Sequence, residues 1–395
     1  MLRVFFLMIT ALMTFLSSGV PLSCQRGIPE VQDGVYNYKD LLEAEPSIRI
    51  LIAKDTRYAH LAIHGYYQIR DDRNTIVDEG PGLQKSMISV KDDCITVGNR
   101  HYKNTEIRIS SSQHGDIEVN DVRYPGEIRI LRQPNNKFLV IEEVGLENYL
   151  VSVVGNEMPH SWNEEALRAQ AITARTYAMY KRKVKEDNIY HLDMLDLAYR
   201  GITGKTSRIS RIVQETRGIV MAYNWNLFPA YFHSTCGGHT EDCYYVFGED
   251  SIPPLKGVVC NYCEDSKYFN WSVDIDKSEI EKKLKDANMY VPDIHMINGV
   301  DPGEGIHCSK VEIVSSSGSR EMHANSFRLL IGPYYLYSTA FYSRDNGKSI
   351  TFSGKGLGHG VGLCQYGAQG MAKNSFTCIS ILKYYYPQVE LIRVY

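Results

Sequence analysis

Tyr149-Leu150-Val151-Ser152-Val153-Val154-Gly155-Asn156-Glu157-Met158-Pro159 is the stretch on which the reading of this chain turns. Pro159 biases Met158 away from helical backbone angles, so a helix is predicted to end near Glu157. A carboxylate there faces the negative pole of the helix dipole. Val153, Val154 and Met158 surround it with apolar side chains. Both effects favour the protonated carboxyl, which is the state a general acid requires. The plain alternative is a solvated glutamate at a helix end.

The next helix opens with Ser161-Trp162-Asn163-Glu164, which reads as a capping box built by Ser161 and Glu164. Leu167, Ala171, Ala174 and Ala178 then share one face, and small residues let another element approach closely. Arg175 interrupts these small residues. It is expected to point into a cleft and hold a polar substrate group or Glu157, against the alternative of a snorkelling surface arginine.

A second unusual stretch runs from Gly354 to Gly370 and contains Gly356, Gly358, Gly360, Gly362 and Gly367. So many glycines imply a tightly bent backbone in close approach to something. It is not a phosphate loop, because the Gly-Lys-Ser/Thr ending is missing. His359, Gln365 and Tyr366 are the side chains it could aim at a polar ligand. Cys364 also permits a nucleophilic Cys-His pair with His359, as in a cysteine peptidase or amidase, though such partners meet in space and not by spacing.

Between these stretches lie His233-Ser234-Thr235-Cys236-Gly237-Gly238-His239, Cys243, and Cys260-Asn261-Tyr262-Cys263. Cys236, His239, Cys243, Cys260 and Cys263 offer halves of a structural zinc site. In an exported protein the same cysteines could instead form disulfides, and free buried thiols are the third option. His233 and Ser234 are expected to line a substrate groove.

The remaining sequence sets bounds. The 395 residues suggest two to three domains, and 44% hydrophobic content is ordinary for a chain with a buried core. A net charge of −3 carries no basic excess, so no nucleic-acid partner is expected. The 28 tyrosines suit sugar contacts as well as core packing. Residues 1–24 read as a signal peptide or N-terminal anchor: Arg3, then an apolar run from Val4 to Leu16, then Ser17, Ser18 and Gly19. Cys24 is a weak lipidation candidate. An exported location in the periplasm or cell envelope follows.

The predicted fold class is α+β, with a helical catalytic core carrying a Gly-rich loop, plus β-rich modules. Residues 25–142 are expected to form a β-rich N-terminal domain, with runs such as Ile48–Ile52 and Glu127–Leu131 bounded by turn residues. Residues 143–395 form the expected α+β catalytic domain. Within it, a helix is predicted over Ser278–Asn288 with Ile280 and Leu284 on one face, strands over 308–352, and a final helix near Ser375–Tyr385.

Together these segments resemble the stage II sporulation protein D family of lytic transglycosylases, which also includes the amidase enhancers. The resemblance rests on Tyr149–Tyr180 with Glu157-Met158-Pro159 and Ala174-Arg175-Thr176-Tyr177-Ala178. It continues at Thr216-Arg217-Gly218, Phe232–Thr240, Gly356–Ala372 and Ile381–Pro387. It implies cleavage of the β-1,4 bond between N-acetylmuramic acid and N-acetylglucosamine in peptidoglycan, with a 1,6-anhydro product, on strands stripped of stem peptides. It implies Glu157 as the catalytic acid, Arg175 and Tyr199 as substrate-cleft residues, glycan strands and a cell-wall amidase as partners, and no required cofactor. The alternative within the family is a non-catalytic, glycan-binding activator of an amidase. Two departures stand out: Leu197 replaces the family's Gln two residues before Tyr199, with only His191 left as a histidine ligand there, and Cys364 stands where a Ser is usual.

Overall fold

A computed structural model describes residues 30–32, 34–37, 44–112, 115–194, 196–302 and 305–395. The signal and lipidation readings of residues 1–24 lie outside them. No described helix is long and apolar enough to cross a membrane.

The described residues between Ser47 and Gly145 form strands joined by turns. One sheet orders Leu192–Asp193, Ser47–Thr56, Lys137–Gly145, Glu127–Gln133, Glu106–Ser111, Tyr67–Asp71 and Ile76–Gly80. A second orders Val122–Tyr124, Asp116–Val119, Tyr58–His64, Leu83–Lys91, Cys94–Val97 and Arg100–Tyr102. Period-2 alternation drives the packing. Ile48, Ile50, Ile69, Ile107, Ile109, Ile128 and Ile130 of the first sheet share one core with Leu61, Ile88, Ile95, Val97 and Ile117 of the second.

Helices dominate between Leu146 and Glu215. α1 (Leu146–Glu157) ends where Met158 turns extended ahead of Pro159, as its sequence predicts. α2 (Glu164–Val184) is capped by Asn163, whose side chain accepts from the Glu165 N–H. The predicted Ser161 cap is thus displaced by two residues. Asparagine takes the role because its extended backbone and side-chain carbonyl already meet the first free N–H groups. Leu167, Ala171, Ala174 and Ala178 of α2 join the sheet core. Ala166, Ala169 and Ile172 join a second core on the helix's other side. The small residues let α2 be buried on both flanks.

Past α3 (Ser207–Glu215) and the short α4 (Cys243–Phe247), residues 271–355 form an inserted module with its own core. It has two three-stranded sheets, α5 (Lys277–Asp286) with Ile280 and Leu284 buried, and α6 (Ala324–Ile331). The α6 helix falls where the sequence pattern predicts only strands. The expected final helix is α8 (Cys378–Tyr385), and a helix that the sequence pattern does not predict, α7 (Gln365–Lys373), precedes it. The structure is an α+β mix.

Candidate functional site

Phe232–His233 and Leu363–Cys364 pair as parallel strands, His233 opposite Cys364. Thr235 and Leu357 exchange backbone hydrogen bonds at 3.0 and 2.8 Å. The two motifs, more than a hundred residues apart in sequence, are therefore one structural unit. Gly358 is needed for this approach: its φ is +114°, and a Cβ there would lie 2.7 Å from the His233 Cβ.

Pairing of Leu363–Cys364 places Gln365 as the first residue of α7. Its Nε2 donates to Glu157 Oε2 at 3.2 Å and to Gln170 Oε1 at 3.4 Å. The other carboxylate oxygen of Glu157 accepts the Ala198 N–H at 2.9 Å. Glu157 is partly buried. Burial raises its pKa above the ordinary carboxylate range, and the bonds from Ala198 and Gln365 only partly oppose this. Among the described residues, no other carboxylate is a cause of this shift.

Partly exposed aromatic rings lie along the same loop. Tyr366 meets Trp162 edge-on with centroids 4.9 Å apart, and its N–H donates to the Ser234 carbonyl at 3.0 Å. His359 lies 5.2 Å from Phe247 and 5.4 Å from His233. The Nδ1 of His359 accepts the Val361 N–H, and burial drives its pKa well below the ordinary histidine value. His233 is buried, with its pKa pushed down to about 4 by burial. Both rings are neutral at pH 7. His233 Nδ1 sits 3.1 Å from the Val361 carbonyl, so it carries the ring proton.

Two expected cleft residues are elsewhere. Arg175 is fully buried, and Glu157 is not among its hydrogen-bond partners. Its guanidinium forks onto Glu147 at 2.9 and 2.7 Å and donates to the carbonyls of Ile219 and Val213. A long cation among alanines is tolerated here because an acid from α1 meets it in the core. Burial alone would raise the Glu147 pKa, but Arg175 outweighs it and holds the carboxyl below its ordinary value. Tyr199 is also buried, its hydroxyl donating to Glu142 Oε2 at 2.7 Å and its ring 5.0 Å from that of Tyr149. It anchors the loop that presents the Ala198 N–H to Glu157. His191 accepts the Arg49 N–H at 3.1 Å.

The cysteines also regroup. Cys236, Cys260, Cys263 and Cys364 are all buried, with their sulfurs within 4.8 Å of one another. His239 and Cys243 do not join them; Cys243 Sγ points at the Asp250 carbonyl. Cys364 replaces them because the strand pairing carries it beside Cys236. Its buried sulfur accepts the N–H groups of Cys236 and Gly367, and no hydrogen bond joins it to His359. That environment suits neither a nucleophile nor a Cys-His pair.

Sequence reasoning missed Gln170 and Ala198 as members of the site. The buried amide of Gln170 between Ala169 and Ala171 was a readable signal, since a polar side chain inside an alanine face needs a partner. The Ala198 contribution is a backbone N–H and left no trace in residue type.

The stage II sporulation protein family model matches residues 134–223, and a domain of unknown function matches residues 258–362. The first match holds Glu157, Arg175 and Tyr199; the second spans the inserted module and ends within the Gly-rich loop. An uncharacterised protein of Brachyspira hyodysenteriae is 31% identical over 279 residues, covering 69% of this chain and 73% of its own. Stage II sporulation protein D of Bacillus subtilis is 28% identical, covering 68% of this chain and 79% of its own. The amidase enhancer of Bacillus subtilis is 26% identical, covering 61% of this chain and 40% of its own. The chain belongs to the stage II sporulation protein D family.

Proposed function

We propose that this protein is an exported peptidoglycan lytic transglycosylase that acts in the cell envelope, with a helical core and its Gly-rich loop as the catalytic part. The observation that carries the reading is the single partly buried carboxyl of Glu157, held by the Ala198 N–H and Gln365 and raised in pKa by burial.

Ordinary glycosidases need two carboxylates, because water must be activated or a covalent intermediate formed. Muramic acid supplies its own nucleophile, the 6-hydroxyl. Glu157 gives its proton to the glycosidic oxygen as the bond to the anomeric carbon breaks. The 6-hydroxyl oxygen then bonds to that carbon, and its proton returns to Glu157. The products are a 1,6-anhydromuramic end and a free N-acetylglucosamine hydroxyl. Gln365 and Ala198 steady the carboxylate that exists between the two transfers. His359, Tyr366 and Ser234 line the approach and suit sugar hydroxyls and faces. No cofactor takes part in these steps.

The test is digestion of defined glycan strands, with and without stem peptides, followed by mass spectrometry of the ends. Anhydro ends that vanish with Glu157→Ala in a folded protein support the reading. Reducing ends would mean hydrolysis and overturn it. Tight strand binding with no product would favour the amidase-activator alternative, which the likeness to an amidase enhancer keeps in view.

A further inference from the structure

We propose that Cys236, Cys260, Cys263 and Cys364 hold one zinc ion in a tetrahedral four-thiolate site, and that this ion fixes the Gly-rich loop from which Gln365 reaches Glu157.

Four elements of geometry carry this. First, the sulfurs all lie within 4.8 Å of one another, with Cys236 and Cys263 at 3.6 Å. A tetrahedral ion with metal–sulfur bonds of about 2.3 Å requires sulfurs about 3.8 Å apart. An iron–sulfur cube would hold them farther apart, since each thiolate binds a different iron. Second, the ligands come from three separate segments of the chain. Cys260 and Cys263 form a Cys-x₂-Cys turn, Cys236 follows one strand of the parallel pair, and Cys364 ends the other.

Third, donors already point at the sulfurs. The N–H groups of Cys236 and Gly367 both reach Cys364 Sγ at 3.3 Å, and the Tyr385 hydroxyl lies 3.1 Å from Cys260 Sγ. Such outer contacts spread the charge of metal-bound thiolates. Fourth, space has been cleared. A Cβ at Gly367 would strike the Tyr385 hydroxyl and sit 2.8 Å from Cys260 Sγ. Only glycine lets α7 come this near the sulfurs.

The position gives the ion a purpose. The inserted module leaves the chain just after Cys263 and returns at Gly356, where the Gly356 N–H meets the Tyr268 carbonyl and the Trp271 indole N–H meets the Gly356 carbonyl. A four-way link at this root holds both ends of the module. It also fixes Cys364, the residue that caps α7 and precedes Gln365.

The experiment uses the full chain purified under reducing conditions and measures its metals by mass spectrometry. One zinc per chain is expected, lost in Cys260→Ser and Cys263→Ser and kept in Cys243→Ser. Should the serine variants fail to fold, cobalt exchanged into the unaltered protein keeps the test alive: it should show the sulfur-to-cobalt charge-transfer band of a four-thiolate site. Removing zinc should speed amide exchange across residues 357–370 while the strands of residues 47–145 stay protected. These readouts do not depend on glycan cleavage. A chain that takes up no metal, one that binds iron and no zinc, or one whose four cysteines are joined as disulfides overturns the zinc assignment. Unchanged exchange at 357–370 on metal removal overturns its role in fixing the loop.

Discussion

Gln365 donates to the carboxylate of Glu157 across 208 residues of sequence, and the same amide nitrogen touches Gln170 of α2. Segments from α1, α2 and α7 thus meet at one side-chain amide, and each can be perturbed separately.

Replacing Glu157 by Gln keeps the acceptor for the Ala198 N–H but removes the transferable proton. Glycan cleavage is expected to fall about a hundred- to ten-thousand-fold, the usual worth of a positioned acid–base group. Strand affinity should change little. Steady-state rates and a binding isotherm on the same preparation check both halves.

Gln365→Ala removes a hydrogen bond that favours the charged carboxylate. The Glu157 pKa should therefore rise further. A general acid works while protonated, so the alkaline limb of the kcat/KM profile should move to higher pH in the variant. A limb that moves to lower pH, or stays in place, would remove Gln365 from the site.

Arg175→Ala should act on the fold and not on substrate. It strands Glu147 in the core, and breaking a buried ion pair costs about 3–5 kcal/mol. Urea unfolding should show this loss. Any folded fraction should retain an unchanged KM, which a substrate-contacting arginine would not allow.

Glu142 is fully buried, and burial pushes its pKa up to about 7; Glu241 is raised to about 7 in the same way. Both bind a proton more tightly folded than unfolded. Their contribution is present in full below the ordinary carboxylate pKa of about 4.3 and is lost as pH rises through about 7. Denaturant midpoints should fall between pH 5 and pH 7.5. Glu142→Gln, which can still pair with Tyr199 and Gly126, should flatten part of that fall.

Sequence alone determined what depends on neighbours along the chain. Pro159 fixed the end of α1 and so the place of Glu157, alternation marked the strands of residues 47–145, and glycine content marked the loop around His359. Tertiary structure alone decided the partners. Arg175 looked like a cleft residue because Glu147, its counter-ion, lies 28 residues away on another helix. Cys364 could not be grouped with Cys236 until a parallel strand pair brought them together, since sulfur proximity is a property of folded space. Burial is likewise a sum over the whole molecule, and burial raises the pKa of Glu157.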